Sequence, residues 1–301
     1  MNARSLTIGI LLFSNSVFAT DSRSQSALLI PDFTGIWAHP FLPGFEPPAS
    51  GPGPVLNRSR GPDGVGNFNQ LVGDYTNPIL KPHAAEIVRK HGEISLASIG
   101  YPTPSNQCWP GGVPYVFWDF VMQMLQEPDQ ITMVYRTGNE VRRVRLNQPH
   151  PAVVTPSWYG DSIGRYEGDT LVIDTVGIRK GPFSMLDMYG TPFTDKLHVV
   201  ERYQLVAYDD AKDEIERNEK ENLFLPPGAG NGGEFDADYR GKVLQLHFTV
   251  EDEGIFTMPW TATITYRPNL LPWPEQICAE NQREYYNNRD SAVPQADEPD
   301  F

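Results

Sequence analysis

Residues 156–177, PSWYGDSIGRYEGDTLVIDTVG, constrain the fold more than any other part of the chain. Two extendable runs, 162–166 and 169–176, flank Glu167-Gly168. Glycine there can take the positive φ of a tight hairpin turn. The second run is rich in β-branched residues, which favour a half-buried pleated surface. Trp158, Asp161, Arg165, Glu167, Asp169 and Asp174 set an unusual density of charge beside the apolar strand positions.

The same pattern of short runs and turns continues on both sides. Residues 116–126, 130–136 and 140–146 read as strands, separated by Glu127-Pro128-Asp129 and Thr137-Gly138-Asn139. Further strands follow at 196–208, 242–251 and 257–267. Residues 82–98 have helical character, with Pro82 at a favourable first position and Ala84, Ile87, Val88, His91 and Ile94 near one face. Residues 39–80 are crowded with Gly, Pro, Asn and Ser and read as an irregular arm over the domain. Residues 213–240 read as an inserted loop, and 291–301 as a disordered tail. The expectation is a mainly β chain of about eight to ten strands. An antiparallel meander hides its edges by closing, which gives a lipocalin-like barrel with one short helix and long Pro/Gly-rich loops. A calyx of this size leaves room for one small ligand. A two-sheet sandwich is the alternative.

Residues 1–19 read as a signal peptide: Arg4, the apolar run 6–13, and Val17-Phe18-Ala19 ahead of a cut. The apolar run is too short to span a bilayer, and no second membrane segment follows. Residues 20–290 then form a single domain in a periplasmic or secreted protein. A formal charge of −14 argues against a nucleic-acid partner. Cys108 and Cys278 are the two cysteines. In an exported protein an even pair favours a disulfide, with two buried free thiols as the alternative.

Several phrases resemble a large group of exported bacterial lipocalin-like β-barrel proteins, mostly uncharacterised. The group carries a GDSIGRxEGDTLVxDT-type motif, present here as GDSIGRYEGDTLVIDTVG. Further echoes are Cys108 to Pro114 with altered spacing, Gln148-Pro149-His150-Pro151, Leu197-His198-Val199-Val200-Glu201-Arg202, Phe256 to Trp260, and Cys278-Ala279-Glu280-Asn281. Gly35-Ile36-Trp37 resembles the first strand of lipocalin-like barrels, whose Trp plugs one barrel end. The chain departs from the pattern at Pro192-Phe193-Thr194, where a His is expected, and its 213–240 segment is longer than usual. The resemblance implies an exported barrel and brings no activity with it.

The candidate chemistry is acid/base. On the strand from Lys196, His198, Val200 and Arg202 share one face and Glu201 and Tyr203 the other. Asp174 on an apolar strand needs a partner, which Arg165, Arg143 or Arg202 could supply. Without one it is a carboxylate with a raised pKa. Asp161 either caps its own turn or acts at the barrel mouth, and His150 at a loop tip can reach that mouth. His198, Asp174 and Asp161 are the candidate catalytic residues. Arg165, Arg202, Trp158, His150 and Tyr203 are the candidate substrate contacts. The six His lack metal-site spacing, and phosphate-loop, dinucleotide and Gly-x-Ser-x-Gly motifs are missing, so neither a metal nor an organic cofactor is expected. The expected partner is a small hydrophobic or aromatic molecule in the barrel. It would be the substrate of a lyase, isomerase, cyclase or hydrolase, or the cargo of a carrier.

Overall fold

The computed structural model describes residues 30–42, 44–62, 65–67, 70–97, 101–221, 238–269 and 278, with the backbone of 283–284 and 289–290. The expected signal peptide, the tail and most of the 213–240 loop lie outside the described residues.

Nine strands close into one barrel in chain order: β1 (Gly35–Ala38), β2 (Val121–Gln126), β3 (Gln130–Tyr135), β4 (Glu140–Leu146), β5 (Asp161–Glu167), β6 (Thr170–Val176), β7 (His198–Ala207), β8 (Lys242–Glu251) and β9 (Trp260–Pro268). Closure is made where β1 pairs antiparallel with β9, Ala38 opposite Arg267. The central hairpin forms with Glu167 opposite Thr170 and Gly168 at φ +65°, the positive value its turn needs.

One pairing departs from the expected meander. β4 and β5 run parallel, Val144 opposite Ser162. A parallel neighbour cannot be reached by a tight turn, so the chain must travel the length of the barrel between them. Residues 147–160 make that crossover. As a result, the starts of β4, β5 and β7 and the ends of β6 and β8 all lie at one end of the barrel, the mouth.

Alternation assigns the faces. Leu171, Ile173 and Thr175 of β6 pair with Tyr203, Glu201 and Val199 of β7, and all point inward. The lumen is filled by side chains at most 1% exposed, among them Tyr135, Arg142, Tyr203, Tyr266, Phe248 and Trp260. The expected calyx is therefore a packed core, as a barrel of about eight strands allows. The Arg142–Glu201 ion pair within it is complete. Arg142 donates to both carboxylate oxygens of Glu201 at 2.6 and 2.8 Å, to Ser162 Oγ at 3.1 Å and to Thr175 Oγ1 at 2.6 Å. Tyr203 Oη donates to Glu201 at 3.0 Å.

The 39–80 arm is irregular, as expected, and reaches the barrel core through Phe45. Glu46 exchanges backbone hydrogen bonds with Thr263, and Phe45 packs among Trp118, Phe248 and Trp260. Helix α1 (Pro82–Leu96) buries Ala84, Val88, His91 and Gly92. Ile87 and Ile94, expected on that face, sit at its edge, 41% and 37% exposed. A second helix, α2 (Lys212–Glu221), occupies the start of the segment expected to be a loop. It buries only Ile215 and Asn218, too few for an apolar period to show. Glu214 accepts from Gln245 and Thr265, seating the helix on the outer face of β8 and β9. Cys108 and Cys278 form a disulfide. No helix among the described residues is long and apolar enough to cross a membrane.

Candidate functional site

Odd-numbered side chains of β5 and even-numbered ones of β6 and β7 point outward in this register. Asp161, Asp174 and His198 therefore stand on the outer wall at the mouth end. The crossover 147–160 folds back over that wall and delivers His150. The four residues form one chain of contacts. His150 Nδ1 lies 2.6 Å from Asp161 Oδ1, and His150 Nε2 3.1 Å from Asp174 Oδ1. His198 Nε2 meets the same Asp174 oxygen at 3.0 Å, and its Nδ1 is 3.4 Å from Glu251 Oε2. At the far end Arg145 donates twice to Asp161, at 2.8 and 2.9 Å.

Carboxylates only accept hydrogen bonds, so a ring with both nitrogens against carboxylates must be an imidazolium to satisfy both. With both rings protonated, signs alternate along Arg145, Asp161, His150, Asp174, His198 and Glu251, whereas a neutral ring gives up one of its two bonds, for His198 the longer one to Glu251. The hydrogen bond to Asp174 raises the His198 pKa above its ordinary value, against the opposing effect of partial burial, and Glu251 adds to it. In return the bond from His198 holds Asp174 below the usual carboxylate range, outweighing its burial, with His150 contributing. Burial pushes Asp161 up, but the bonds from Arg145 and His150 bring it below its ordinary value.

The weak link is His198 to Glu251. At 3.4 Å it is the longest contact in the chain, and Glu251 is half-exposed. His198 and Glu251 also line a surface cleft of about 530 Å³, together with the charged Lys196, Asp252 and Glu253 and the apolar Phe256, Met258 and Pro259. His198 Nδ1 is thus the loosely held nitrogen of an Asp-oriented imidazole beside a partly apolar cleft. That is the arrangement of a general base or acid.

Four expectations need correcting. Arg165 and Arg202 do not join Asp174, because they lie opposite Val172, two residues further from the mouth. Both instead bond Glu167, Arg165 at 2.9 Å and Arg202 at 2.6 Å, in an exposed cluster at the hairpin end. Tyr203 is inside the lumen, on the opposite face from His198, with no route to the cleft. Trp158 walls neither site directly. Arg179 lies 4.9 Å over its ring, and Trp109 packs edge-on at 5.3 Å.

A second cavity, of about 470 Å³, opens at the same end of the barrel, between the 104–120 segment and the turn joining β3 to β4. Asp119 and Glu140 line it. Burial raises Asp119 to about 7, opposed by the backbone N–H groups of Thr137, which donates at 2.5 Å, and Val121. Burial also raises Glu140 above its ordinary value.

Sequence reading missed Asp119, Glu140, Arg142, Arg145 and Glu251. The β4 sequence EVRRVRL carried a usable signal for the two arginines. Strict alternation sends Arg142 with Val144 and Leu146 to the core, and Arg145 outward. Nothing local marks Asp119, whose burial comes from the aromatic segment before β2. No cluster of His, Cys, Asp and Glu among the described residues is arranged to hold a metal ion. Comparison with family models, with curated proteins and with solved structures returned no match.

Proposed function

We propose that this chain is an exported enzyme performing acid/base chemistry with its own side chains on a small, largely apolar or aromatic molecule, by proton abstraction of the lyase, isomerase or hydrolase kind. One observation carries the reading. Four residues from four separate segments, His150, Asp161, Asp174 and His198, converge into a single chain that ends on a cleft. Purely structural ion pairs do not need two imidazoles on one carboxylate oxygen.

In this reading the substrate lies against Phe256 and Met258. His198, neutral and donating Nε2–H to Asp174, takes a proton on Nδ1. The imidazolium that forms is stabilised by Asp174 and, once protonated, donates to Glu251. His150 competes for the same Asp174 oxygen and so sets how strongly Asp174 raises the basicity of His198. The leader-like residues 1–19, the Cys108–Cys278 disulfide and the motif resemblance support an exported setting.

Turnover of a small-molecule extract tests the reading, with products followed by mass spectrometry for wild type, H198A and D174N. A compound consumed by wild type and spared by both variants supports it, with a rate that climbs through the raised His198 pKa. Consumption that survives H198A, or no consumption at all, removes it. The aromatic cavity at the mouth favours a second reading, carriage of a small ligand, which does not need the histidines.

A further inference from the structure

We infer that the mouth cavity is a binding site for a small organic cation, a molecule bearing an ammonium group. The inference does not depend on the catalytic reading, because the two sites share no lining residue.

The lining has an unusual composition. Phe41, Trp109, Tyr115, Trp118 and Phe120 supply aromatic surface. Asp119 and Glu140 are its ionisable acids, and Lys, Arg and His are missing from it among the described residues. Rings present the negative face of their quadrupole to a cation, and desolvation strengthens that attraction. A carboxylate in the same enclosure adds a direct charge partner. Anionic ligands meet two acids and a chain of formal charge −14, and are disfavoured. A neutral aromatic ligand would fill the volume but bring no charge to the buried carboxyls, whereas an ammonium group would.

Two neighbours bear on this choice. Arg136, outside the lining, rests its guanidinium 4.0 Å from the Phe120 ring centroid, so that ring already takes a cation. Its charge pulls Asp119 down without overcoming burial. Trp118 is 7% exposed, and its buried indole N–H finds no acceptor among the described residues. A ligand oxygen would meet it, which favours an amino alcohol over a bare tetraalkylammonium.

Binding of a cation draws Asp119 into its ionised form. Affinity should therefore fall on acidification, by about tenfold between pH 8 and pH 6 for a carboxyl titrating near 7. His39, Glu140, Tyr115, Tyr135, Tyr159 and Tyr266 are the other titratable groups around it. On acidification Glu140 loses its charge and His39, bonded to the Asp119 backbone, gains one, so both add to the same trend.

The experiment is calorimetric titration of the whole oxidised protein with choline, tetramethylammonium, the neutral choline isostere 3,3-dimethylbutanol, and phenylacetate. Choline should bind best, the neutral isostere at least about tenfold more weakly, and phenylacetate not at all. D119N should weaken choline binding at pH 8 and flatten its pH dependence. E140Q offers a second route if D119N fails to fold, since Asp119 also holds the Thr137 backbone. H198A should bind choline as wild type does, which separates failure here from failure of the catalytic reading. Equal or tighter binding of the neutral isostere, or no binding of either cation at millimolar concentration, overturns the inference.

Discussion

Replacing Glu201 by Gln probes the most consequential contact in the barrel. Arg142 and Glu201 are 1% and 0% exposed, and the lumen around them is apolar or hydroxylic. With Gln at 201, the Arg142 charge loses its counter-charge and keeps neutral partners alone, the amide oxygen, Ser162 and Thr175, with the Met133 sulfur 4.0 Å away. Removing one member of a buried pair costs about 3–5 kcal/mol, because the remaining charge stays desolvated. The weakened Tyr203 contact belongs to the same loss. Against a total stability of about 5–15 kcal/mol, this is a large share. At about 2–4 °C per kcal/mol, the melting temperature should fall by about 6–20 °C. Urea denaturation followed by fluorescence measures the free energy directly. The paired replacement R142M/E201M should recover most of the loss, since two apolar side chains of similar volume restore a neutral, packed lumen. A single variant within about 1 kcal/mol of wild type would refute the argument, as would a double variant as damaged as the sum of the two singles.

Two further perturbations test the outer chain and the crosslink. D174N should return His198 toward its ordinary pKa in imidazole NMR titrations. The raised His198 contributes stability that is full below about 6.5 and lost as pH rises through its folded value. The lowered Asp174 contributes stability that is full above about 4 and lost on acidification. The gap between wild type and D174N should therefore be widest between about pH 4 and 6.5 and narrow on either side; a gap independent of pH counts against the chain. C108S/C278S removes a bond between residues 170 apart and should cost up to about 5 kcal/mol. Since both cysteines also line the mouth cavity, the variant should lose choline affinity as well, and unchanged affinity would separate the crosslink from the cavity.

The barrel was legible because its strands are short, alternating and separated by turn residues. The hairpin at Gly168 and the Leu197-His198 strand follow from period two alone. The parallel β4–β5 pair was not legible. The crossover 147–160 has no helical period and reads as an ordinary loop, and only the pairing of Val144 with Ser162 shows that the chain has travelled the length of the barrel. Face assignment on β7 was also open from sequence, since His198 with Arg202 and Glu201 with Tyr203 are both plausible interior pairs. The decision comes from β4, which presents Arg142 to the lumen and so draws Glu201 inward. With Glu201 inside, His198 must be outside, and Asp174 with it.

That chain of consequences explains the dense charge of the 156–177 hairpin. Its inward positions, Ser162 and Thr175, are hydroxyls because they receive the Arg142 guanidinium. Its outward positions divide by height. Arg165 and Arg202 share the Glu167 carboxylate at the hairpin end, on an exposed surface. Asp161 and Asp174, at the mouth end, are spaced to hold His150 between them. The crossover that carries His150 continues into Trp158, packed on Trp109, and Tyr159, beside Glu140. One short segment is thus pinned at its start to the imidazole–carboxylate chain and at its end to the wall of the aromatic cavity. The parallel crossover is the piece of backbone that touches both sites.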